Sequence, residues 1–400
     1  MQELITYQNN LLKNINNIFF RYLFERIKNK KSRMLGIKGL RGTGKTTLLL
    51  QYLKYHIGDL SQGLYITADH PYFYNHTIFE TAEEFYKYGG KYLLIDEVHK
   101  YENWSRELKL IYDGFPELKI IFSASSVLEI YKGESDLSRR VITYELPGLS
   151  FREYLELAHG IKTDAVDFNH ILQEHVSLSN KLKEILNTPL LYFRNYIRKG
   201  YFPFILEDDE SDYYKKIHQG IDTTITNDLS IIEQYSASHI SKIKKLLGIL
   251  AETAPFEPNI SELSRKFSIG RDTVSNFLQH LSNARLINLL SRNTKGTATL
   301  KKPDKIYLEN TNFSFALKNE PSTGTIRETF FLNQIRNYGL NITLPNKGDF
   351  LADNKYIFEI GGKNKTTKQI KEFKNSFIAS DEIESGFANR IPLYLFGLLY

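Results

Sequence analysis

Eight residues early in the chain, Gly39-Leu-Arg-Gly-Thr-Gly-Lys-Thr46, constrain the fold more than any other stretch. Gly39, Gly42 and Gly44 let the backbone turn tightly, so that the N–H groups of Gly42, Thr43 and Gly44 converge on one point. Such a bend wraps a phosphate only where side chains do not obstruct it. The flanks agree with this reading. Arg33 to Lys38 reads as a short strand, and Thr46 to Tyr55, rich in Leu and Gln, reads as a helix whose positive dipole end faces the same anion. Lys45 is placed to reach the β- and γ-phosphates of a nucleoside triphosphate, and the Thr46 hydroxyl suits Mg²⁺, a hard cation that takes oxygen ligands. With Thr47 in the first helical turn, these residues make the predicted ATP site, and ATP and Mg²⁺ are the expected cofactors.

About fifty residues downstream, Lys91-Tyr-Leu-Leu-Ile-Asp96-Glu97 ends an apolar strand in two adjacent carboxylates. Asp96 is expected to hold the Mg²⁺ shell, and Glu97 to orient and deprotonate a water for attack on the γ-phosphate. Phe122-Ser-Ala-Ser-Ser126 closes the next β-type run, and Ser125 is the first choice for a γ-phosphate sensor, with Ser123 as the alternative and a simple turn as the plainer reading. Arg139-Arg140 precedes a further strand, Val141 to Leu146. An arginine there either neutralises transition-state charge, in its own subunit or a neighbour's, or forms a surface ion pair. These short strands alternate with helical stretches, which implies a parallel sheet covered by helices.

Composition narrows the remaining classes. The 52 Lys and Arg against 46 Asp and Glu leave a net charge of +6 and a pI near 9.0, which permits contact with phosphates without proving it. With no cysteine, disulfides, thiolate zinc sites and cysteine nucleophiles are excluded, and a reducing compartment, the cytoplasm, is expected. The first thirty residues show no signal-peptide core, and no eighteen consecutive residues stay apolar, so no membrane association is expected. Leu11 to Ile27 carries apolar residues at three- and four-residue spacing, which predicts one amphipathic leading helix. His99 and Trp104 are read as packing or surface residues.

Beyond Pro147-Gly148 the pattern changes. Phe151 to about Tyr235 is helical and reads as a lid. Asn259 to Leu281 reads as helix, glycine turn, helix; the second helix shows Arg271, Thr273, Ser275, Asn276 and Gln279, types that meet phosphates or base edges, and Arg292, Lys295, Lys301 and Lys302 are expected to line a wing. Near the end, Asp349 precedes a strand that carries Glu359, with Lys363 beyond Gly361-Gly362, Glu328 before it and Gln369 after it. Strand alternation predicts positions 359, 361 and 363 on one side, while Gly361-Gly362 could equally break the strand. Two acids and a lysine in this order resemble the restriction-endonuclease-like fold, in which carboxylates bind Mg²⁺; here the lysine stands two positions later than usual.

Taken together, the glycine loop, Leu94-Ile-Asp-Glu-Val-His99, Phe122-Ser-Ala-Ser-Ser126, Leu137-Ser-Arg-Arg140 and Leu146-Pro-Gly-Leu-Ser-Phe-Arg-Glu-Tyr154 resemble the AAA-type ATP-binding proteins of bacteria and archaea. The resemblance implies an ATPase core followed by a helical lid, a winged helix and a nuclease-like C-terminal domain. It also implies that Arg140 occupies the family's arginine position, although Ser138-Arg139 replaces the usual small residue and glycine and leaves the choice of arginine open. The expected fold is therefore α/β: a P-loop NTPase parallel sheet with a leading helix over 1–150, a helical lid over 151–240, a winged helix over 241–300, and a small α/β nuclease-like domain over 301–400. The expected activity is Mg²⁺-dependent ATP hydrolysis that switches the C-terminal modules. An ATP-gated DNA endonuclease and a non-hydrolysing scaffold that binds DNA or protein are the alternatives, with DNA and further copies of the chain as open partners.

Overall fold

Alternate residues of the short strands serve different cores, as the period of two dictates for a sheet covered on both faces. Met34, Leu93, Ile95, Ile120 and Phe122 pack on one side with Leu64, Ile78 and Leu108. Leu35, Ile37, Leu94 and Ile121 pack on the other with Leu48, Leu49 and Tyr52. The computed structural model describes residues 1–124, 137, 139–207, 209–229, 235–292, 303–318, 320–366 and 370–400. It divides into two compact units, Met1–Gly148 and Leu149–Tyr400.

In the first unit, β1 (Met34–Lys38), β2 (Gly63–Thr67), β3 (Tyr92–Asp96), β4 (Lys119–Ala124) and β5 (Val141–Glu145) form one sheet in the order β2-β3-β4-β1-β5. Every pairing is parallel. Helices α3 (Lys45–Gln51), α4 (Ile78–Lys87) and α5 (Trp104–Gly114) connect the strands, and a wider helical turn extends α3 to Ile57. The predicted single leading helix is instead two, α1 (Gln2–Lys13) and α2 (Tyr22–Lys28). Its apolar spacing was misleading because side chains compete for the backbone between them. Lys54 Nζ donates to the Leu12 and Ile15 carbonyls, Gln51 Nε2 to those of Asn16 and Phe19, and Asn16 Oδ1 accepts from the Ile18 N–H. Ile18, expected on the buried face, is 81% exposed.

The second unit begins with α6 (Phe151–His159), α7 (Phe168–Leu186), α8 (Pro189–Lys199) and α9 (Glu210–Thr223). Next, α10 (Ala237–Thr253), α11 (Ile260–Phe267) and α12 (Arg271–Asn283) lead into β6 (Ile287–Leu290), which pairs antiparallel with β7 (Lys305–Leu308). The second strand of this pair lies past residue 300, the limit expected from sequence. After α13 (Thr311–Leu317), the helix α14 (Thr323–Tyr338) packs on a mixed sheet of β8 (Ile342–Thr343), β9 (Phe350–Ala352), β10 (Tyr356–Gly361), β11 (Ser376–Ser380) and β12 (Arg390–Pro392), in the order β12-β11-β10-β9-β8. Among the described residues no helix is long and apolar enough to cross a membrane.

Candidate nucleotide site

The glycine loop leaves the C-terminal end of β1, where its backbone takes forms that demand glycine. Gly42 and Gly44 have φ of 79° and 90°, in the left-handed region that side chains avoid. At Gly39 a Cβ would stand 2.3 Å from the Leu146 carbonyl oxygen, so no other residue fits. Thr43 Oγ1 donates to the Leu40 carbonyl at 2.9 Å. Lys45 Nζ donates to the loop's own Gly39 and Leu40 carbonyls at 3.0 and 2.9 Å, which keeps the buried ammonium inside the bend. Thr46 and Thr47 stand in the first turn of α3.

Asp96, at the C-terminal end of β3, meets the loop. Its side chain is almost fully buried and takes three hydroxyl donors: Thr46 Oγ1 at 2.5 Å and Tyr65 Oη at 3.0 Å on Oδ2, and the Ser123 hydroxyl on Oδ1. Burial first, and the Asp96 charge after it, push the Tyr65 phenol far above its usual range, which keeps it a donor. Thr46 Oγ1 and Asp96 Oδ2 thus form a hard oxygen pair of the type Mg²⁺ takes. Glu97 follows in a left-handed conformation, φ 51°, its N–H donating to Ser123 Oγ at 3.2 Å.

The remaining predicted groups lie elsewhere. Ser125 falls outside the described residues, and so do Lys295, Lys301, Lys302 and Gln369. Ser123, the alternative, is the serine that touches Asp96. Arg140 stands before the first residue of β5, which is level with Met34 at the start of β1. Since the strands are parallel, Arg140 sits at the opposite edge of the sheet from the loop, about 16 Å away along an extended strand of this length. There its guanidinium forms a two-pronged pair with Asp113, 2.9 Å for each bond. In this structure the Arg140 side chain is therefore directed to Asp113 and not to its own loop. Arg139 is exposed, with φ 73°.

Sequence reasoning singled out neither Arg21 nor His99, the latter being read as a packing or surface residue. Arg21, between α1 and α2, is buried and donates to the Thr43 carbonyl, to Pro147 O at 2.7 Å and to Gly148 O at 3.1 Å, tying the loop to the segment after β5. Nothing in its sequence surroundings marks it. His99 has its Nε2 3.5 Å from Glu97 Oε2; its place two residues after the acid pair was the available signal.

A second cluster forms in the other unit, with one correction to the sequence reading. Asp349 and Glu359 do approach the same lysine, but it is Lys365 rather than Lys363. Lys365 Nζ lies 2.6 Å from Glu359 Oε2 and 3.6 Å from Asp349 Oδ2. Lys363 is exposed because β10 stops at Gly361 and the chain turns, Lys365 N–H bonding to Gly362 O at 3.0 Å. Burial pushes the Lys365 pKa down, but Glu359 and Asp349 outweigh it and the net shift is upward. Glu359 is 1% exposed, and among the described residues its Oε1 has no hydrogen-bond partner. Glu328 accepts from Tyr307 Oη at 2.6 Å; burial first, with the Asp349 charge adding to it, raises its pKa. Among the described residues no group of three or more His, Asp or Glu stands close enough to hold a metal ion.

The loop, the paired strand-end acids and the parallel sheet find their counterpart in a known family. Residues 31–155 match the family model described as an AAA domain. The first unit thus has an α/β fold of the P-loop NTPase kind, and within the chain this segment is similar to an AAA domain. Residues 190–322 match a second model, a domain of unknown function (DUF8612). Two proteins of Methanocaldococcus jannaschii are similar along most of the chain. The uncharacterized protein MJ1637 is 26% identical over 392 residues, covering 90% of this chain and 82% of its own. MJ1544, also uncharacterized, is 26% identical over 349 residues, covering 84% and 73%. Among solved structures, the Walker-type ATPase PABY2304 of Pyrococcus abyssi aligns with a TM-score of 0.42 and 12% identity, covering 75% of this chain and 95% of that one. The ORC1 protein of Aeropyrum pernix, in complex with DNA, aligns with a TM-score of 0.30 and 14% identity, covering 78% and 91%.

Proposed function

We propose that the chain is a cytoplasmic ATPase that binds Mg²⁺–ATP at Gly39–Thr46 and hydrolyses it to switch the modules of its second unit. The observation that carries this reading is the meeting of Thr46 and Asp96 at 2.5 Å beside a loop whose glycines leave the amides bare. In this reading Lys45 exchanges the Gly39 and Leu40 carbonyls for phosphate oxygens, and the amides of residues 42–44 hold the same group. Mg²⁺, held by Thr46 and Asp96, supplies charge neutralisation. Glu97 orients the attacking water and accepts its proton, so catalysis rests on positioning and electrostatics. Arg140 serves a neighbouring copy's site if it serves any, since its own lies at the other sheet edge. Glu97→Gln is expected to bind ATP as the wild type does and to release no phosphate. Wild-type turnover by that variant overturns the assignment; ATP affinity without phosphate release in the wild-type chain supports the non-hydrolysing scaffold instead.

Helices α10–α12 with the β6/β7 pair fit a winged helix, with Arg271, Ser275, Asn276 and Gln279 on the exposed face of α12. DNA is the proposed partner. Arg271→Ala is expected to weaken DNA binding and to reduce its salt dependence by about one counterion.

The approach of Asp349 and Glu359 to Lys365 favours a second reading, an ATP-gated nuclease. The two carboxylates would hold Mg²⁺, for which the unpartnered Glu359 Oε1 is fitted, and Lys365 would steady negative charge beside it. Metal-dependent nicking of DNA that disappears in both Asp349→Asn and Glu359→Gln establishes this reading, and nicking that survives in either removes it.

A further inference from the structure

A carboxylate at a strand end turns freely about its side-chain bonds unless a neighbour holds it, and Glu97 has such a neighbour. The chain leaves β3 at Asp96, enters a left-handed conformation at Glu97 that disfavours any residue but glycine, and closes at once into the 3-10 turn Val98–Lys100. Lys100 N–H bonds to Glu97 O at 2.9 Å, and this turn carries His99 back over the Glu97 side chain. His99 Nε2 then lies 3.5 Å from Glu97 Oε2, with the two side chains 4% and 21% exposed. Contacts of this kind are commonly long without substrate and tighten when it binds. A carboxylate can only accept, so a hydrogen bond here requires the proton on Nε2.

The ring is neither a base nor a charge in this place. Burial first, then the charges of Lys100, Lys45 and Arg41, lower its pKa to about 3, so at neutral pH it is an uncharged donor. The influence of Lys45 and Arg41 also puts it within reach of the phosphate loop's cations.

We infer that His99 is a positioning residue for ATP hydrolysis: its Nε2–H holds Oε2 of Glu97 and so turns Oε1 to the attacking water. The water oxygen bonds to the γ-phosphorus, the bond from that phosphorus to the β–γ bridging oxygen breaks, ADP leaves with the electron pair, and the water's proton passes to Glu97 Oε1. This rests on the reading of Glu97 as the hydrolytic base.

Steady-state ATPase rates and ATP affinity on the full chain test it, using His99→Gln, His99→Phe and Glu97→Gln. His99→Phe fills the space without a donor and is expected to lower kcat by about tenfold or more at unchanged KM and ATP affinity, as loss of orientation does. His99→Gln restores an N–H at similar reach and is expected to recover most of kcat. If the Phe variant does not fold, His99→Met supplies the donor-free comparison. Wild-type kcat in the donor-free variant, or equal losses in it and in His99→Gln, overturns the inference while leaving Glu97 in place. Wild-type turnover by Glu97→Gln overturns the reading of Glu97, and the inference with it.

Discussion

Arg21 is a single side chain on which the shape of the phosphate loop depends. Its guanidinium fork joins the Thr43 carbonyl to those of Pro147 and Gly148, and all three bonds are buried. Arg21→Ala leaves these acceptors unpaired and is expected to cost about 3 kcal/mol in urea unfolding and to weaken ATP binding. Arg21→Lys is expected to rescue little, because a point ammonium does not span the fork. His99 gives a pH dependence of known sign. Its pKa is about 3 folded against 6.5 for the ordinary imidazole, so the unfolded chain binds a proton that the folded chain refuses. The contribution is complete above pH 6.5 and is lost as pH falls, by about 2 kcal/mol at pH 5. Unfolding of His99→Gln measured across that range is expected to show a flatter acid limb. Neither contact was legible in sequence, since Arg21 joins Thr43 to carbonyls 126 and 127 positions away and His99 reaches Glu97 through a turn that follows a left-handed backbone.

At the level of elements, strand direction decides what Arg140 does. Five parallel strands put every C-terminal end at the phosphate edge, and Arg140 precedes a strand, so it belongs to the other edge. Arg140→Ala is therefore expected to leave ATP affinity of dilute protein unchanged. A loss of affinity in dilute protein contradicts the topology. The alternation of strands and helices was legible because period two and period 3.6 are local properties. Where β10 ends was legible only as one of two outcomes, since Gly361-Gly362 marked a break that alternation alone does not. Alternation past Gly361 points to Lys363, whereas the chain turns there and brings Lys365 to Glu359. Thermal melts separate the two: Lys363→Ala is expected to be silent, and Lys365→Ala to destabilise by about 2 kcal/mol, since it leaves a buried carboxylate unpaired while the lysine itself is partly solvated. The break between α1 and α2 was hidden for a related reason, since apolar spacing does not reveal that Lys54 and Gln51 claim the intervening carbonyls.

Over the whole molecule, the chemistry most readable from sequence lies in the first unit, where one contiguous loop and one strand end supply the predicted nucleotide contacts. The second unit, Leu149–Tyr400, draws its cluster from Asp349 just before β9, Glu359 in β10 and Lys365 in the turn beyond, so its pattern is only partly visible before folding. The proposal that the loop grips a triphosphate is direct to test. Calorimetric titration of the folded chain with Mg²⁺–ATP, beside Lys45→Ala, is predicted to show one saturable site per chain in the wild type and no heat in the variant. No binding by well-folded wild-type protein, or equal binding by Lys45→Ala, contradicts the account.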